Sequence, residues 1–132
     1  EIQAIEIVQV GQSVSLKVDI EATQDIDSLV LGYVIKDRLG MPIYGTNTHH
    51  LNQIEQSVRK GDLLEFQFQF IANLGPGTYS IALAAHGDSN HLSNNYLWND
   101  RILQFTVINS KDHFEGVNWM PPSLSISRSK AK

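Results

Sequence analysis

The chain contains no cysteine. A disulfide scaffold, a zinc–thiolate site and a cysteine nucleophile are therefore excluded. The absence agrees with a cytosolic setting without requiring one. No apolar run approaches the roughly 20 residues that a membrane-spanning helix needs. Cationic residues are also in short supply. Lys and Arg number 10 against 14 Asp and Glu, for a formal net charge of −4, and a nucleic-acid binder normally carries a basic face. A general polyanion binder is disfavoured too, although a local basic pocket is compatible with this balance. No secretory signal pattern is visible. The chain begins at Glu1 rather than Met, so a processed form or a piece of a longer chain, with a partner domain upstream, is expected. Catalytic signatures are missing as well: there is no GxSxG elbow, no phosphate-binding loop and no Ser-His-Asp order. Glu65, Asp88, Asp100 and Glu115 are present, but no pattern pairs them across a cleft as glycoside hydrolysis requires. The chain is expected not to be an enzyme.

What is present is alternation. Val14, Leu16, Val18 and Ile20 alternate with Ser15, Lys17 and Asp19. Leu64, Phe66, Phe68 and Phe70 alternate with Glu65, Gln67 and Gln69. Tyr79, Ile81, Leu83 and Ala85 form a third such run, and Leu103, Phe105 and Val107 a fourth. Each reads as a strand with one face in a core and one in water. An early strand is expected over Ile5 to Val10, with Gly11-Gln12 as the turn after it.

Leu31 to Thr48, LGYVIKDRLGMPIYGTNT, reads as a hairpin turning at Asp37 to Gly40, with Pro42 setting the start of the second arm. Asn73-Leu74-Gly75-Pro76-Gly77 is a strong turn signal, and Gly87 to Asn95 a polar loop. Leu51 to Lys60 holds a helical turn at most and reads mainly as loop. A chain of 132 residues is one domain by size. With 42% hydrophobic and 18% charged residues it is an ordinary folded composition. Several short strands punctuated by turns predict an all-β fold, an immunoglobulin-like antiparallel β-sandwich, with a β-barrel as the structural alternative.

Two regions are expected: the sandwich over residues 1–109 and a C-terminal extension over 110–132. In the extension, Pro121-Pro122 interrupts the chain before Ser123-Leu124-Ser125-Ile126-Ser127-Arg128 alternates again. That segment suits an edge strand, added to its own sheet or exchanged with a partner's. A frayed tail is the alternative.

Candidate ligand contacts are few. Five histidines occur, at 49, 50, 86, 91 and 113. His49 and His50 would face opposite ways on a strand, and only His86 and His91 flank one loop, so no metal site is assigned. Asp88, Asn90, Asn94, Asn95, Asn99 and Asp100 supply oxygens of the kind calcium takes, but they are equally the ordinary residues of polar loops. Tyr96-Leu97-Trp98-Asn99-Asp100-Arg101 is the best functional candidate. An aromatic ring can stack on the C–H face of a sugar, and planar amide, carboxylate and guanidinium groups can bracket vicinal hydroxyls. The alternative is a Trp plugging the end of the sandwich with Asp100-Arg101 as a surface pair. The outward faces carrying Gln67 and Gln69, and Ser80, Ala82, Ala84 and His86, leave room for an extended polymer chain. They also look like ordinary solvated sheet faces.

Four stretches together resemble one family. They are LGYVIKDRLGMPIYGTNT, PGTYSIALAAHG, LWNDRILQFTV and FEGVNWMPP, in that order between Leu29 and Pro122. They are similar to the C-terminal domain of the nucleotide-binding subunit of O-antigen polysaccharide ABC transporters, of Wzt type. The resemblance implies a non-catalytic immunoglobulin-like module that recognises lipid-linked O-antigen polysaccharide, often at a modified non-reducing end, and commits it to export. It implies no cofactor and a homodimer matching two ATPase subunits, with C-terminal strands open to exchange. Its further partners would be an N-terminal ATPase domain and a membrane-spanning transporter subunit. The location would be cytoplasmic, peripheral to the bacterial inner membrane, with no direct insertion. The expected carbohydrate contacts are Trp98, Asp100 and Arg101, followed by His86, Asn47 and Gln67. The competing expectations are a ligand-free immunoglobulin-like spacer and a calcium-dependent lectin-like domain.

Overall fold

The computed structural model describes residues 6–87 and 103–131. These residues form eight strands: β1 (Glu6–Gln9), β2 (Ser13–Glu21), β3 (Ile26–Lys36), β4 (Pro42–Asn47), β5 (Glu55–Val58), β6 (Leu63–Ile71), β7 (Gly77–His86) and β8 (Leu103–Ile108). The order in the larger sheet is β1-β8-β7-β3-β4, with β5 also pairing β3. The smaller sheet is the antiparallel pair β2-β6. The fold is all-β, as the alternation requires. No helix among the described residues is long and apolar enough to cross a membrane.

Two details depart from the sequence reading. The larger sheet is mixed, because β1 runs parallel to β8. The chain then changes sheets within a few residues: Val10 N–H donates to the Ile108 carbonyl at 3.0 Å, and Gly11 N–H to the Ala72 carbonyl at 2.8 Å. Gly11 takes φ +81°, the left-handed conformation this corner needs. The second departure is β5, which lies where loop was expected. Glu55–Val58 offers one buried side chain, Val58, in an otherwise exposed strand, so it carries almost no alternation to read. It forms because the first part of β3 has a free edge there, and it pairs Ile26, Ser28 and Leu29.

β4 and β5 thus share one edge of β3, and Thr48 joins them. Its N–H donates to the Leu31 carbonyl at 2.9 Å, and its Oγ1 accepts from Leu31 N–H at 3.1 Å. Thr48 is buried, so one residue satisfies both backbone groups of Leu31 where the two neighbours part.

The core lies between the sheets. Leu29 and Leu31 are fully buried, with Val10 and Val107 close behind. Each buried Leu stabilises the fold by about 1.5–3 kcal/mol. Tyr33 of β3 reaches the other sheet: its ring meets Phe68 edge-on at 4.9 Å and stacks with Phe70 at 6.1 Å. Tyr79 stacks on Phe105 at 5.6 Å and donates its hydroxyl to the Gly75 carbonyl at 2.8 Å.

The first part of the extension belongs to this body. Phe114 and Trp119 pack together at 4.9 Å, and both are partly buried against the core. Gly75 N–H donates to the Val117 carbonyl at 2.9 Å, and Trp119 N–H to the Asn73 carbonyl at 3.0 Å. Residues 120–131 are exposed and pair with no described strand of their own chain.

Candidate functional site

The outer face of the larger sheet carries small residues around Val34. Register fixes three rows across it: Asn47–Gly32–Ala84, Gly45–Val34–Ala82 and Lys36–Ser80–Gln104. The interleaved Tyr33, Ile35, Ile81 and Leu83 are buried in the core, so these rows point away from it. Glycine is needed at position 32, where a Cβ would lie 3.0 Å from both Asn47 Cβ and the Thr46 carbonyl oxygen. The result is a low floor of Gly, Ala and Ser around Val34, with Asn47, Lys36, Gln104 and His86 at its margins. A shallow floor with polar margins can hold an extended chain bearing many hydroxyls, with amides and imidazole as donors and acceptors.

Two of the residues expected from sequence lie on this face. Asn47 ends β4, and His86 ends β7, opposite Val30. Asn47 also shapes the local chain: its Oδ1 accepts from His50 N–H at 2.8 Å and its carbonyl from Leu51 N–H at 3.1 Å. His86 is exposed, with Nδ1 3.3 Å from the Gly87 carbonyl oxygen. Gln67 does not join them. It sits on β6 in the other sheet, alternating with the inward phenylalanines, and its Nε2 donates to Ser15 Oγ at 2.8 Å. The sandwich thickness separates it from Asn47 and His86. Trp98, Asp100 and Arg101 lie outside the described residues, in the connection that leaves β7 beside His86 and enters β8.

A second feature was not foreseen from sequence. A cleft of about 1000 Å³ opens between β6 and the β3–β4 arm. Its floor is apolar, with Phe66, Phe68 and Phe70 from β6 and Ile43 from β4. Tyr44, Gln53 and Asn118 are among the polar residues at its walls. These phenylalanines are half-buried, whereas Leu16, Val18 and Ile20 on the neighbouring strand β2 are buried. Among the described residues the smaller sheet ends at β6, so its last inward row is covered by a described strand on one side only. Tyr44 is 55% exposed, 6.4 Å from the Tyr33 ring. Alternation marked these phenylalanines as a core face, but it cannot say how many strands flank β6.

Burial pushes the Tyr33 phenol above its ordinary range, with Tyr44 adding to the effect. Burial does the same for Tyr79, helped by Asp37. Both hydroxyls therefore stay neutral across ordinary pH. Among the described residues no three His, Asp or Glu side chains gather as metal ligands. His49 and His50 lie in a turn rather than on a strand, with rings edge-to-face at 5.7 Å. The Asp88–Asp100 oxygen cluster and His91 are outside the described residues.

Among the described residues the chain is an all-β sandwich, with a six-stranded mixed sheet over a two-stranded one. The chain belongs to the Wzt C-terminal domain family, whose sequence profile matches residues 3–120. A crystal structure of the C-terminal domain of Wzt superposes with a TM-score of 0.76 at 25% identity, over 91% of this chain and 73% of that one. The N-terminal domain of PorA aligns over 83% of this chain at 8% identity, but its TM-score of 0.29 carries no weight. No curated protein sequence matches the chain. Family membership points to a carbohydrate-binding role in ABC transport.

Proposed function

We propose that this domain is a non-catalytic module that binds lipid-linked O-antigen polysaccharide, at its modified non-reducing end, and couples it to export by an ABC transporter. Membership of the Wzt C-terminal domain family is the observation that carries the reading. In this proposal the ATPase belongs to a separate N-terminal domain, and the module works as a homodimer that exchanges its C-terminal strands. Its other partner is the membrane-spanning transporter subunit, at the cytoplasmic side of the bacterial inner membrane.

The polymer lies along the outer face of the larger sheet. Ala82, Ala84, Gly32 and Gly45 leave the space, Asn47 and His86 supply polar contacts at its margin, and Trp98, Asp100 and Arg101, in the sequence between β7 and β8, remain the candidate contacts expected from their chemistry. Gln67 belongs to the opposite face and takes no part in this version of the site. A shallow site of this kind binds with a dissociation constant in the roughly millimolar to micromolar range, about −4 to −8 kcal/mol. A dimer engaging two chain ends gains avidity over that figure.

The test is calorimetric titration with purified O-polysaccharide, alongside the same polymer stripped of its terminal modification. Binding to the intact polymer only supports end recognition. Binding to both means that the repeat unit is read, and binding to neither by folded protein rejects the carbohydrate reading. Ala84→Trp should abolish binding by filling the floor, and Tyr44→Ala in the cleft should leave it unchanged. Unaltered binding by Ala84→Trp would move the polymer elsewhere on the molecule.

A further inference from the structure

Asn47 reaches the floor with half of its carboxamide already engaged. Its Oδ1 accepts from His50 N–H at 2.8 Å, which fixes the plane of the group and holds the turn after β4. A backbone N–H can be met only by the oxygen, so this bond also settles which end of the amide is which. The NH2 group is left over. Among the described residues nothing takes it, so Asn47 faces a ligand as a donor.

His86 is engaged in the opposite sense. Its Nδ1 lies 3.3 Å from the Gly87 carbonyl oxygen. A carbonyl only accepts, so in the neutral ring Nδ1 carries the proton and Nε2 is the acceptor that remains.

Register puts these two groups on either side of one bare strip. Asn47 stands opposite Gly32, and Gly32 opposite Ala84, two places before His86 on β7. By strand spacing and rise, Asn47 and His86 are about 12 Å apart at Cα. Between them are the backbone of Gly32 and the exposed methyl of Ala84, with Val34 alongside. None of these residues is aromatic, so this strip has no ring to stack on the face of a sugar. It offers a donor on one side, an acceptor on the other and an apolar surface of methyl size in the middle.

We infer that this strip is a subsite for an acetamido group, so that the polymer read on this face carries N-acetylated amino sugars. The inference rests on the carbohydrate reading of the same face and names the class of sugar. A trans amide is planar, with its C=O and N–H directed oppositely. Its two partners must therefore approach from opposite sides, as Asn47 on β4 and His86 on β7 do about β3. The ligand carbonyl accepts from Asn47 Nδ2, its N–H donates to His86 Nε2, and its methyl rests on Ala84. Two hydrogen bonds of about 2.9 Å with the amide between them span roughly 8 Å, and the two side chains cover the remainder. A hydroxyl in the same place is one atom wide and cannot join the two sides.

The test is a nuclear magnetic resonance titration of the intact chain with two sugars of the same linkage. Chitotetraose carries an acetamido group on every ring, and cellotetraose carries a hydroxyl in its place. Saturable shifts at the amides of Gly32, Asn47, Ala84 and His86 are expected with the first and not with the second. Asn47→Asp keeps an oxygen for His50 N–H and removes the donor. It should weaken chitotetraose binding about tenfold with thermal unfolding unchanged. His86→Leu should weaken it similarly, and His86→Gln, which keeps an acceptor, should recover part of the loss. An equal response to both sugars, a response to neither, or an Asn47→Asp chain that binds as wild type overturns the subsite. Purified O-polysaccharide separates this from the broader reading. A chain that binds that polymer without preferring chitotetraose to cellotetraose refutes the subsite and spares the function, whereas selective binding of chitotetraose without the polymer does the reverse.

Discussion

Phe68→Ala tests how the unequal sheets are held together. Phe68 meets Tyr33 edge-on at 4.9 Å and is half-buried at the floor of the cleft. A fully buried Phe→Ala change costs about 3–5 kcal/mol. Half burial reduces the transfer part to roughly 1.5–2 kcal/mol, and loss of the aromatic pair adds about 0.5–1.5 kcal/mol. The expected destabilisation is about 2–3.5 kcal/mol. Urea unfolding followed by tryptophan fluorescence and far-ultraviolet dichroism, at one fixed protein concentration, measures it. Gln67→Ala is the control, because Gln67 turns outward and loses only an exposed bond to Ser15; about 0.5 kcal/mol is expected there. A Phe68→Ala loss below about 0.5 kcal/mol would refute the argument that this ring bridges the sheets.

Thr48→Val should cost about 1–3 kcal/mol, because Leu31 N–H loses its only side-chain acceptor in a buried place; chemical denaturation reads it, and a neutral effect would show that the junction of β4 and β5 needs no hydroxyl. Raising the pH should weaken the fold from about pH 10 upward. The unfolded chain releases the Tyr33 and Tyr79 protons near the ordinary value of 10.0 while the folded chain, whose phenols are pushed higher by burial, retains them. That contribution is full below pH 10 and is lost through the folded values, so Tyr33→Phe should flatten the slope of urea stability against alkaline pH, and an unchanged slope would count against the buried phenol. Gly75→Ala should detach the root of the tail, since a Cβ there would overlap the Gly116 carbonyl oxygen. Faster proteolytic cleavage between residues 109 and 120, with the sandwich intact, is the expected sign, and wild-type resistance would show that the backbone yields at little cost.

Strong alternation made β2, β6, β7 and β8 legible in advance, because each has one wet and one dry face. The β3–β4 hairpin was legible from its turn chemistry: Asp37 Oδ1 accepts from both Leu39 and Met41 N–H, at 2.9 and 2.8 Å. Strand order was not legible. The parallel β1–β8 pair depends on which edge the first strand reaches, and no local pattern encodes that. β5 escaped notice because it exists only to satisfy an edge of β3. The same limit applied to the site. Asn47 and His86 were singled out for their chemistry, and register brings them onto one face. Gln67 has the same chemistry and the opposite address, since a single step in parity moves a side chain through the whole thickness of the sandwich.

That separation of faces has a consequence for how such a domain can diversify. The floor of small residues around Val34 lies on one layer, and the cleft along β6 on the other, with the common core between them. Substitutions on the floor change the chemistry of that face without disturbing the phenylalanine cleft, and inward substitutions along β6 do the converse. Were the floor the face that meets the ligand, as proposed, its chemistry could change one outward-facing residue at a time while the core stays intact.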